Sequence, residues 1–299
     1  MPETKQQDLS RKKVKKVHKY QEAVWTCCGS DHPYSNTMAK MLFLLAVFFI
    51  PASGMSVDAN HMSDQELVDY LNTNQHFFKA EVPTMSYEKF KSHLMDPKYM
   101  KIPEGTKSFN SKWKHKCDGG YMLTAFQYGM TSGVCTGGAY NAKNCCKPYP
   151  FHPCGQHKDQ PYYGECEKDN EDTPTCRAQF SKELKVILLC CIANSAYFVY
   201  ADEDAIRNEI FTNGPVQAAF DVYNDFRFYN NGVYVHTWGE QAGGHAVKII
   251  GWGVENGVKY WLVSNSWSSD WGEDGLFKIR RGTNECEIEA MVGAVIMNA

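Results

Sequence analysis

Residues 243–253 read GGHAVKIIGWG, and residues 261–267 read WLVSNSW. The first stretch places His245 at the mouth of an apolar strand, after two glycines that let another backbone come close. The second stretch places Asn265 at the end of the next strand. Two neighbouring strands of this length can bring these side chains together. The sequence therefore predicts a contact between His245 and Asn265.

A contact between an imidazole and a neutral amide has a specific chemical use. The amide oxygen of Asn265 would accept from a ring N–H of His245 and fix its tautomer without adding charge. This arrangement suits a thiolate–imidazolium pair, in which the histidine deprotonates a cysteine thiol. Trp267 and Trp271 would shield the contact from water. The alternative is a packed core histidine, but the joint pattern favours a catalytic base with an orienting partner.

The rest of the chain shows both helical and strand patterns. Short β runs separated by Gly/Asn turns are predicted at 216–222, 246–252, 258–263, 276–279 and 292–297. Helices are predicted from Ser63, over 86–95, over 121–130 and from Asp202. The first of these has Ser63 and Glu66 three apart, as in a capping box. The apolar segment around 183–193 fits this pattern badly.

Composition narrows the class of protein. A net charge of −3 with 43% hydrophobic residues favours a globular protein over a nucleic-acid binder or a disordered chain. Ten of the 12 cysteines lie between Cys117 and Cys286, which predicts disulfides and an oxidising compartment. No pair has the CxxC spacing of a zinc ribbon, so we expect neither a metal nor another cofactor.

The N-terminal third divides into three parts. Residues 38–54 have the charge, short apolar run and small residues of a secretory signal, and the run is shorter than the ~20 residues of a spanning helix. We therefore expect a secreted or lysosomal protein with no stable membrane span, and residues 1–37 form a doubtful extension. Residues 55–103 are polar and free of cysteine, which suggests a pro-region, with a small docking domain as the alternative.

These motifs resemble the papain family of cysteine peptidases, and specifically its cathepsin B branch. Further matching stretches are CDGGY from Cys117, CCKPYPFHPC from Cys145, ADEDAIRNEIFTNGPV from Ala201 and DWGEDGLFKIRRG from Asp270. The resemblance covers 55–103 as a pro-region and most of 117–299 as the peptidase domain. It implies an α+β, papain-like fold whose active site lies between a helical left domain and a β-barrel right domain. Here the barrel is expected to be largely present and the helical domain truncated.

The resemblance also assigns the site residues. His245 corresponds to the catalytic base and Asn265 to its orienting partner, whereas Gly119 and Gly120 match the pair that hydrogen-bonds the substrate backbone. Met291 stands where this branch has an acidic residue in its main specificity pocket, which implies a preference for apolar side chains. The implied substrate-binding set is Gly119, Gly120, Gly243, Gly244, His157 and Met291.

The cathepsin B branch carries an occluding loop, a disulfide-closed insertion that confers dipeptidyl carboxypeptidase activity. Residues 154–166 match this loop, and Cys154 and Cys166 correspond to its closing pair. The family has two adjacent histidines there to hold the terminal carboxylate of the substrate. This chain has Gln156 and His157, so the resemblance does not carry exopeptidase activity over to it.

The nucleophile of the family has no counterpart in this sequence. It lies in a Gln…Cys-Gly-Ser-Cys-Trp motif at the start of a long helix, and no such motif occurs here. Cys117 is the nearest candidate, but it precedes Asp-Gly-Gly, a poor helix start, and matches a structural disulfide cysteine. The match to the family is lost over 104–116 and 180–195. We interpret both losses as exon skipping and intron readthrough, or as faulty assembly of the coding sequence.

The sequence therefore supports competing hypotheses. The first is a cathepsin B-like cysteine peptidase with a Cys-His-Asn mechanism, inactive as written because the nucleophile is absent. The second is a non-catalytic homologue that binds peptides or inhibitors, and the third is a chain that does not fold. By resemblance, the expected partners are polypeptide substrates, the chain's own pro-region and cystatin-type inhibitors, and no nucleic acid.

Overall fold

The computed structural model describes a long C-terminal part of the chain and several shorter stretches before it. The described residues are 62–100, 119–134, 137–143, 145, 147–158, 160–165 and 193–297. The predicted signal at 38–54, the extension at 1–37, the unmatched stretch at 104–116 and most of that at 180–195 lie outside them. So do Cys117 and Cys166.

Four α-helices lie where the sequence predicted them. They are α1 (Asp64–Asn74), α2 (Tyr87–Ser92), α3 (Met122–Thr131) and α4 (Glu203–Asn213). The capping box of α1 is formed: the Glu66 N–H donates to Ser63 Oγ, and the Ser63 N–H donates to Glu66 Oε2 at 2.7 Å. Asp202 caps α4 by accepting from the N–H groups of Asp204 and Ala205.

Ten strands complete the described part. They are β1 (Phe78–Ala80), β2 (Gly137–Gly138), β3 (Lys147–Pro148), β4 (Ala193–Val199), β5 (Val216–Tyr223), β6 (Tyr229–Tyr234), β7 (Gln241–Glu255), β8 (Val258–Ser264), β9 (Leu276–Arg280) and β10 (Met291–Met297). Eight of them form one sheet in the order β1-β6-β9-β8-β7-β5-β10-β4, and β2 pairs with β3. Only the β6–β9 pair of this sheet is parallel. The five strands predicted from the sequence all belong to it, which confirms the α+β class.

The sheet packs against an aromatic core. Trp261, Phe226, Phe220 and Phe277 are fully buried there. The rings of Phe226 and Phe277 lie 4.9 Å apart in an edge-to-face arrangement.

Residues 62–100, called the N-terminal segment below, belong to this same core. Leu71 of α1, Phe78 of β1 and Phe90 of α2 are buried in it. Strand β1 extends the sheet, with Phe78 opposite Gly232 of β6. The guanidinium of Arg227 donates to both carboxylate oxygens of Asp64, at 3.1 and 2.6 Å. The N-terminal segment is therefore packed and paired with the sheet that carries the site.

Candidate active site

His245 and Asn265 meet at one end of two antiparallel strands. His245 belongs to β7, and Asn265 directly follows β8; Lys248 of β7 lies opposite Ser264 of β8. This register brings His245 Nε2 within 2.9 Å of Asn265 Oδ1. The contact predicted from the sequence is confirmed.

The hydrogen bonds around Asn265 fix which nitrogen of His245 carries the proton. Asn265 Oδ1 also accepts from the backbone N–H of Ser266 at 2.8 Å, which orients the amide. Because an amide oxygen only accepts, the hydrogen of the neutral imidazole lies on Nε2. The lone pair is then on Nδ1, the nitrogen that could take a proton from an acid.

Aromatic rings surround the imidazole. Trp267 stacks on His245 with ring centroids 5.1 Å apart and an interplanar angle of 26°. Trp271 packs edge-on against Trp267 at 5.0 Å, and both indoles are buried. Burial is the main cause that lowers the pKa of His245 to about 4; the Asn265 hydrogen bond opposes it, and the nearby His93 adds to it. The imidazole is therefore neutral at neutral pH.

The glycines of the site accommodate the N-terminal segment. Met95 and Gly244 exchange two backbone hydrogen bonds of 2.9 Å each. A Cβ atom on Gly244 would come within 2.6 Å of Met100 Sδ, and one on Gly243 within 2.9 Å of Leu94 Cβ. The sequence prediction that these two glycines let another backbone come close is confirmed.

Gly119 lies on the opposite side of Met95. A Cβ atom there would lie 2.5 Å from Met95 Cβ, and its φ of +109° favours glycine. Gly120 follows it and is half-buried. The segment around Met95 thus passes between Gly119, ahead of α3, and Gly244 of β7.

His157 is bonded to Asp270 rather than to His245 or Asn265. Its Nδ1 lies 2.7 Å from Asp270 Oδ2, and its Nε2 lies 2.8 Å from the carbonyl oxygen of Cys154. Both ring nitrogens are therefore engaged within the loop and with the turn between Trp267 and Trp271. Cys154 is disulfide-bonded.

Met291 begins β10 two strands away from β7. It lies opposite Ala219 of β5, and Ala219 lies opposite Ala246 of β7. Directly opposed residues share a face of a sheet, so Met291 is on the face that carries Ala246. Its side chain is half-buried.

Sequence reasoning missed three residues that the structure brings to this region. They are His93, Met95 and Asp270, whose contacts with the site all join distant parts of the chain. Asp270, flanked by the two tryptophans, is the one with a local signal. In the part of the chain that the structure describes, no group of His, Cys, Asp and Glu side chains could hold a metal ion. No helix among those residues is long and apolar enough to cross a membrane.

Comparison with known proteins identifies the class. The family described as papain family cysteine protease matches residues 107–296, and the chain belongs to this family. Cathepsin B-like cysteine proteinase 1 of Haemonchus contortus is 46% identical over 184 residues, which cover 61% of this chain and 54% of that protein. Cathepsin B-like cysteine proteinase 3 of Ostertagia ostertagi is 49% identical over 177 residues, covering 58% of this chain and 100% of the relative.

A solved structure agrees with the sequence relatives. Procathepsin B S9 from Trypanosoma congolense matches with a TM-score of 0.50 and 35% identity, over 61% of this chain and 55% of that one. The fold is therefore papain-like. This chain spans about half the length of the first curated relatives it matches, 54% in the case of the Haemonchus contortus protein.

Proposed function

We propose that this chain is a cathepsin B-like cysteine peptidase of the Cys-His-Asn type. His245 would be the catalytic base and Asn265 the residue that orients it. The observation that carries the proposal is the 2.9 Å contact between His245 Nε2 and Asn265 Oδ1. Membership of the papain family and the names of the relatives support the same reading.

In this mechanism the imidazole takes up a proton in one step and releases the same proton in the next. Nδ1 takes the proton of a cysteine thiol, and the thiolate attacks the peptide carbonyl. The imidazolium then gives that proton to the leaving amine, and a water activated by the same ring hydrolyses the thioester. Asn265 holds Nε2 throughout. Trp267, which stacks on the ring, would shield the hydrogen bond between His245 and Asn265 from water.

The nucleophile is the part that the sequence does not provide. The Cys-Gly-Ser-Cys-Trp motif of the family is absent, so we propose that the chain as written does not hydrolyse peptides. A non-catalytic homologue that binds peptides or inhibitors is the second candidate. It is favoured by the cleft beside Gly244, which pairs with an extended backbone without any thiol.

We also propose that the N-terminal segment is a pro-region that blocks the cleft. Its backbone pairs with Gly244, and its helix α1 is anchored through Asp64 to Arg227. Free polypeptides and cystatin-type inhibitors would compete for the same cleft. Met291, on the sheet face shared with Ala246, would favour apolar side chains in the main specificity pocket.

Restoring the nucleophile tests the peptidase proposal. The corresponding segment of the Haemonchus contortus relative would be grafted between residues 103 and 117, and hydrolysis of a fluorogenic dipeptide measured after acid treatment. We expect activity in the graft, none in its His245→Ala variant, and a loss of about 100-fold in its Asn265→Ala variant.

The ungrafted chain is the matched control, treated with a thiol-directed epoxide. We expect no labelling. Labelling at Cys117 would make that residue the nucleophile and overturn our interpretation of it. A folded graft that binds peptides but never cleaves them would instead support the non-catalytic homologue.

We further propose secretion or lysosomal delivery, directed by residues 38–54. The charge and short apolar run of that stretch support it. Expression from Met38 in a secretory cell line should give a processed protein in the medium or in lysosomes. Cytosolic retention of an unprocessed chain would contradict the proposal.

A further inference from the structure

A short turn, residues 271–275, joins the indoles that cover His245 to the main chain of Asn265. The turn begins with Trp271, which packs edge-on against the indole stacked on His245. The carbonyl oxygen of Trp271 accepts from the Gly275 N–H at 2.9 Å, and the carbonyl oxygen of Gly275 accepts from the Asn265 N–H at 3.0 Å. The turn is therefore in contact with both the aromatic cover and the residue that orients His245.

The backbone conformation of this turn is unfavourable by itself. Gly272, Asp274 and Gly275 have φ angles of +60°, +54° and +83°. Three of the five residues are thus in the left-handed region, which costs free energy for a residue with a side chain such as Asp274. Contacts from outside the turn are needed to keep it in this conformation.

Glu273, in the middle of the turn, and Tyr229 of β6 supply such contacts. The hydroxyl oxygen of Tyr229 lies 3.0 Å from Glu273 Oε1 and accepts from the Lys278 N–H of β9 at 3.2 Å. The Gly232 N–H donates to the same oxygen of Glu273 at 3.1 Å. The ring of Tyr229 is buried and packs on the indole of Trp271, with centroids 5.5 Å apart. Strands β6 and β9 thus hold the turn from two sides.

The effect of these two residues on the site is indirect. In the described part of the chain, neither Tyr229 nor Glu273 is hydrogen-bonded to His245 or Asn265. The connection runs from the Tyr229 hydroxyl to Glu273, through the turn to the Asn265 N–H, and from Asn265 Oδ1 to His245 Nε2. Every step of it is a hydrogen bond or a short piece of backbone.

We propose that Tyr229 and Glu273 are positioning residues for the His245–Asn265 pair. They fix the 271–275 turn, and the turn fixes the Trp271 indole and the main chain of Asn265. The inference rests on the proposed role of His245 as the catalytic base, and it adds the support that keeps the orienting amide in place. A loosened turn lets Asn265 Oδ1 move away from the ring and lets water reach it.

Hydrogen exchange in the full chain, measured by NMR, tests this without any peptidase activity. Tyr229→Phe removes one hydroxyl and keeps the ring. We expect the backbone N–H of Asn265 and the Nε2–H of His245 to exchange about fivefold faster, because the turn has lost a buried hydrogen bond. Tyr234→Phe is the matched control. Tyr234 lies in the same strand and is equally buried, but its hydroxyl donates to Asp225 at 2.6 Å instead of to the turn.

Both substitutions remove a buried hydroxyl, so the change in the free energy of unfolding of each variant, measured by chemical denaturation, is subtracted first. After this correction, Tyr234→Phe should leave the exchange of the Asn265 N–H within about twofold of the unmodified chain. Equal accelerations in Tyr229→Phe and Tyr234→Phe would overturn the proposal, since Tyr229 would then be an ordinary core residue.

A second pair of variants covers the case in which Tyr229→Phe does not fold. Glu273 and Glu255 both pair with Lys278 Nζ, at 2.9 and 2.7 Å, and their side chains are 30% and 34% exposed. Only Glu273 belongs to the turn. Glu273→Ala should therefore accelerate exchange of the Asn265 N–H about fivefold, and Glu255→Ala less than about twofold. Glu273→Gln keeps an acceptor oxygen and should retain most of the protection.

Unchanged exchange in Glu273→Ala, or the same acceleration in Glu255→Ala, would refute the positioning role. An inactive graft would leave these exchange results intact. An active graft in which Glu273→Ala leaves the Asn265 N–H protected would keep the peptidase proposal and remove this one, so the two proposals fail separately.

Discussion

Among the described residues, His245 and His157 each contact a side-chain oxygen, as His236 also does at Asp225, and the surroundings of the first two differ. His245 meets the neutral amide of Asn265 beneath buried indoles. His157 meets the carboxylate of Asp270 on a loop, with 33% of its side chain exposed. The first keeps one ring nitrogen for chemistry, whereas the second has both nitrogens engaged.

The difference shows that the groups around a histidine side chain determine its role. An amide fixes a tautomer and leaves the basicity of the ring to be set by burial. A carboxylate and a carbonyl oxygen each lie within hydrogen-bonding distance of one ring nitrogen of His157. His157 therefore links the loop of residues 154–166 to the turn around Asp270. The carboxylate-binding role that the family resemblance implies for His157 stays a prediction.

Removing the indole that covers His245 should have the largest effect on the difference between His245 and His157. Trp267→Ala deletes a side chain that is 3% exposed and contacts the rings of His245, Phe226 and Trp271. We expect the free energy of unfolding to fall by about 3–5 kcal/mol. The pKa of His245 should rise from about 4 towards 6.5, because the burial that lowers it is lost.

Chemical denaturation and an NMR titration of the imidazole measure the two effects of Trp267→Ala. Tyr200→Ala, at a side chain that is 80% exposed, is the control and should change stability by less than about 0.5 kcal/mol. A pKa that stays near 4 without the indole would show that another group dehydrates His245.

Exchanging the amide for a carboxylate should have an intermediate effect. Asn265→Asp places a negatively charged carboxylate beside His245 Nε2 and so raises the pKa of His245 above about 4. At pH 6 the protonated fraction of the ring should increase about tenfold or more. NMR of ring-labelled histidine reports this fraction directly. The isosteric change should leave the fold intact, and an unchanged titration would refute our account of the amide's role.

The reciprocal exchange on the loop should have the smallest effect. Asp270→Asn replaces the carboxylate of a partly exposed pair and should weaken mooring of the loop by about 0.5–1 kcal/mol. The readout is amide protection of Tyr163, whose N–H donates to Gly155. Asp274→Asn is the control, since that side chain is 77% exposed and should contribute almost nothing. Equal losses of Tyr163 amide protection in Asp270→Asn and Asp274→Asn would contradict a specific stabilising role for the contact between His157 and Asp270.

Much of the architecture could be predicted from the sequence because its signals are local. Ser63 and Glu66 form a cap within one turn, and alternation of apolar residues marks β5. His245 and Asn265 are 20 residues apart on consecutive strands, so their contact follows from one hairpin.

The contacts that could not be predicted join distant segments. His157 and Asp270 are 113 residues apart, and Asp64 and Arg227 are 163 apart. No local pattern specifies such pairs, because they depend on how the sheet positions the two ends. The position of His93 beside Trp267 belongs to the same group.

Strand β1 would have a consequence if the N-terminal segment is removed as the pro-region we propose. It supplies the outermost partner of β6, with Phe78 opposite Gly232 and Lys79 opposite Asn231. Once β1 leaves, the peptide groups of β6 form an open border that can accept a strand from another molecule. Cleavage of the N-terminal segment would then expose the shortened chains to aggregation through β6. A low protein concentration or rapid turnover would be needed to limit it.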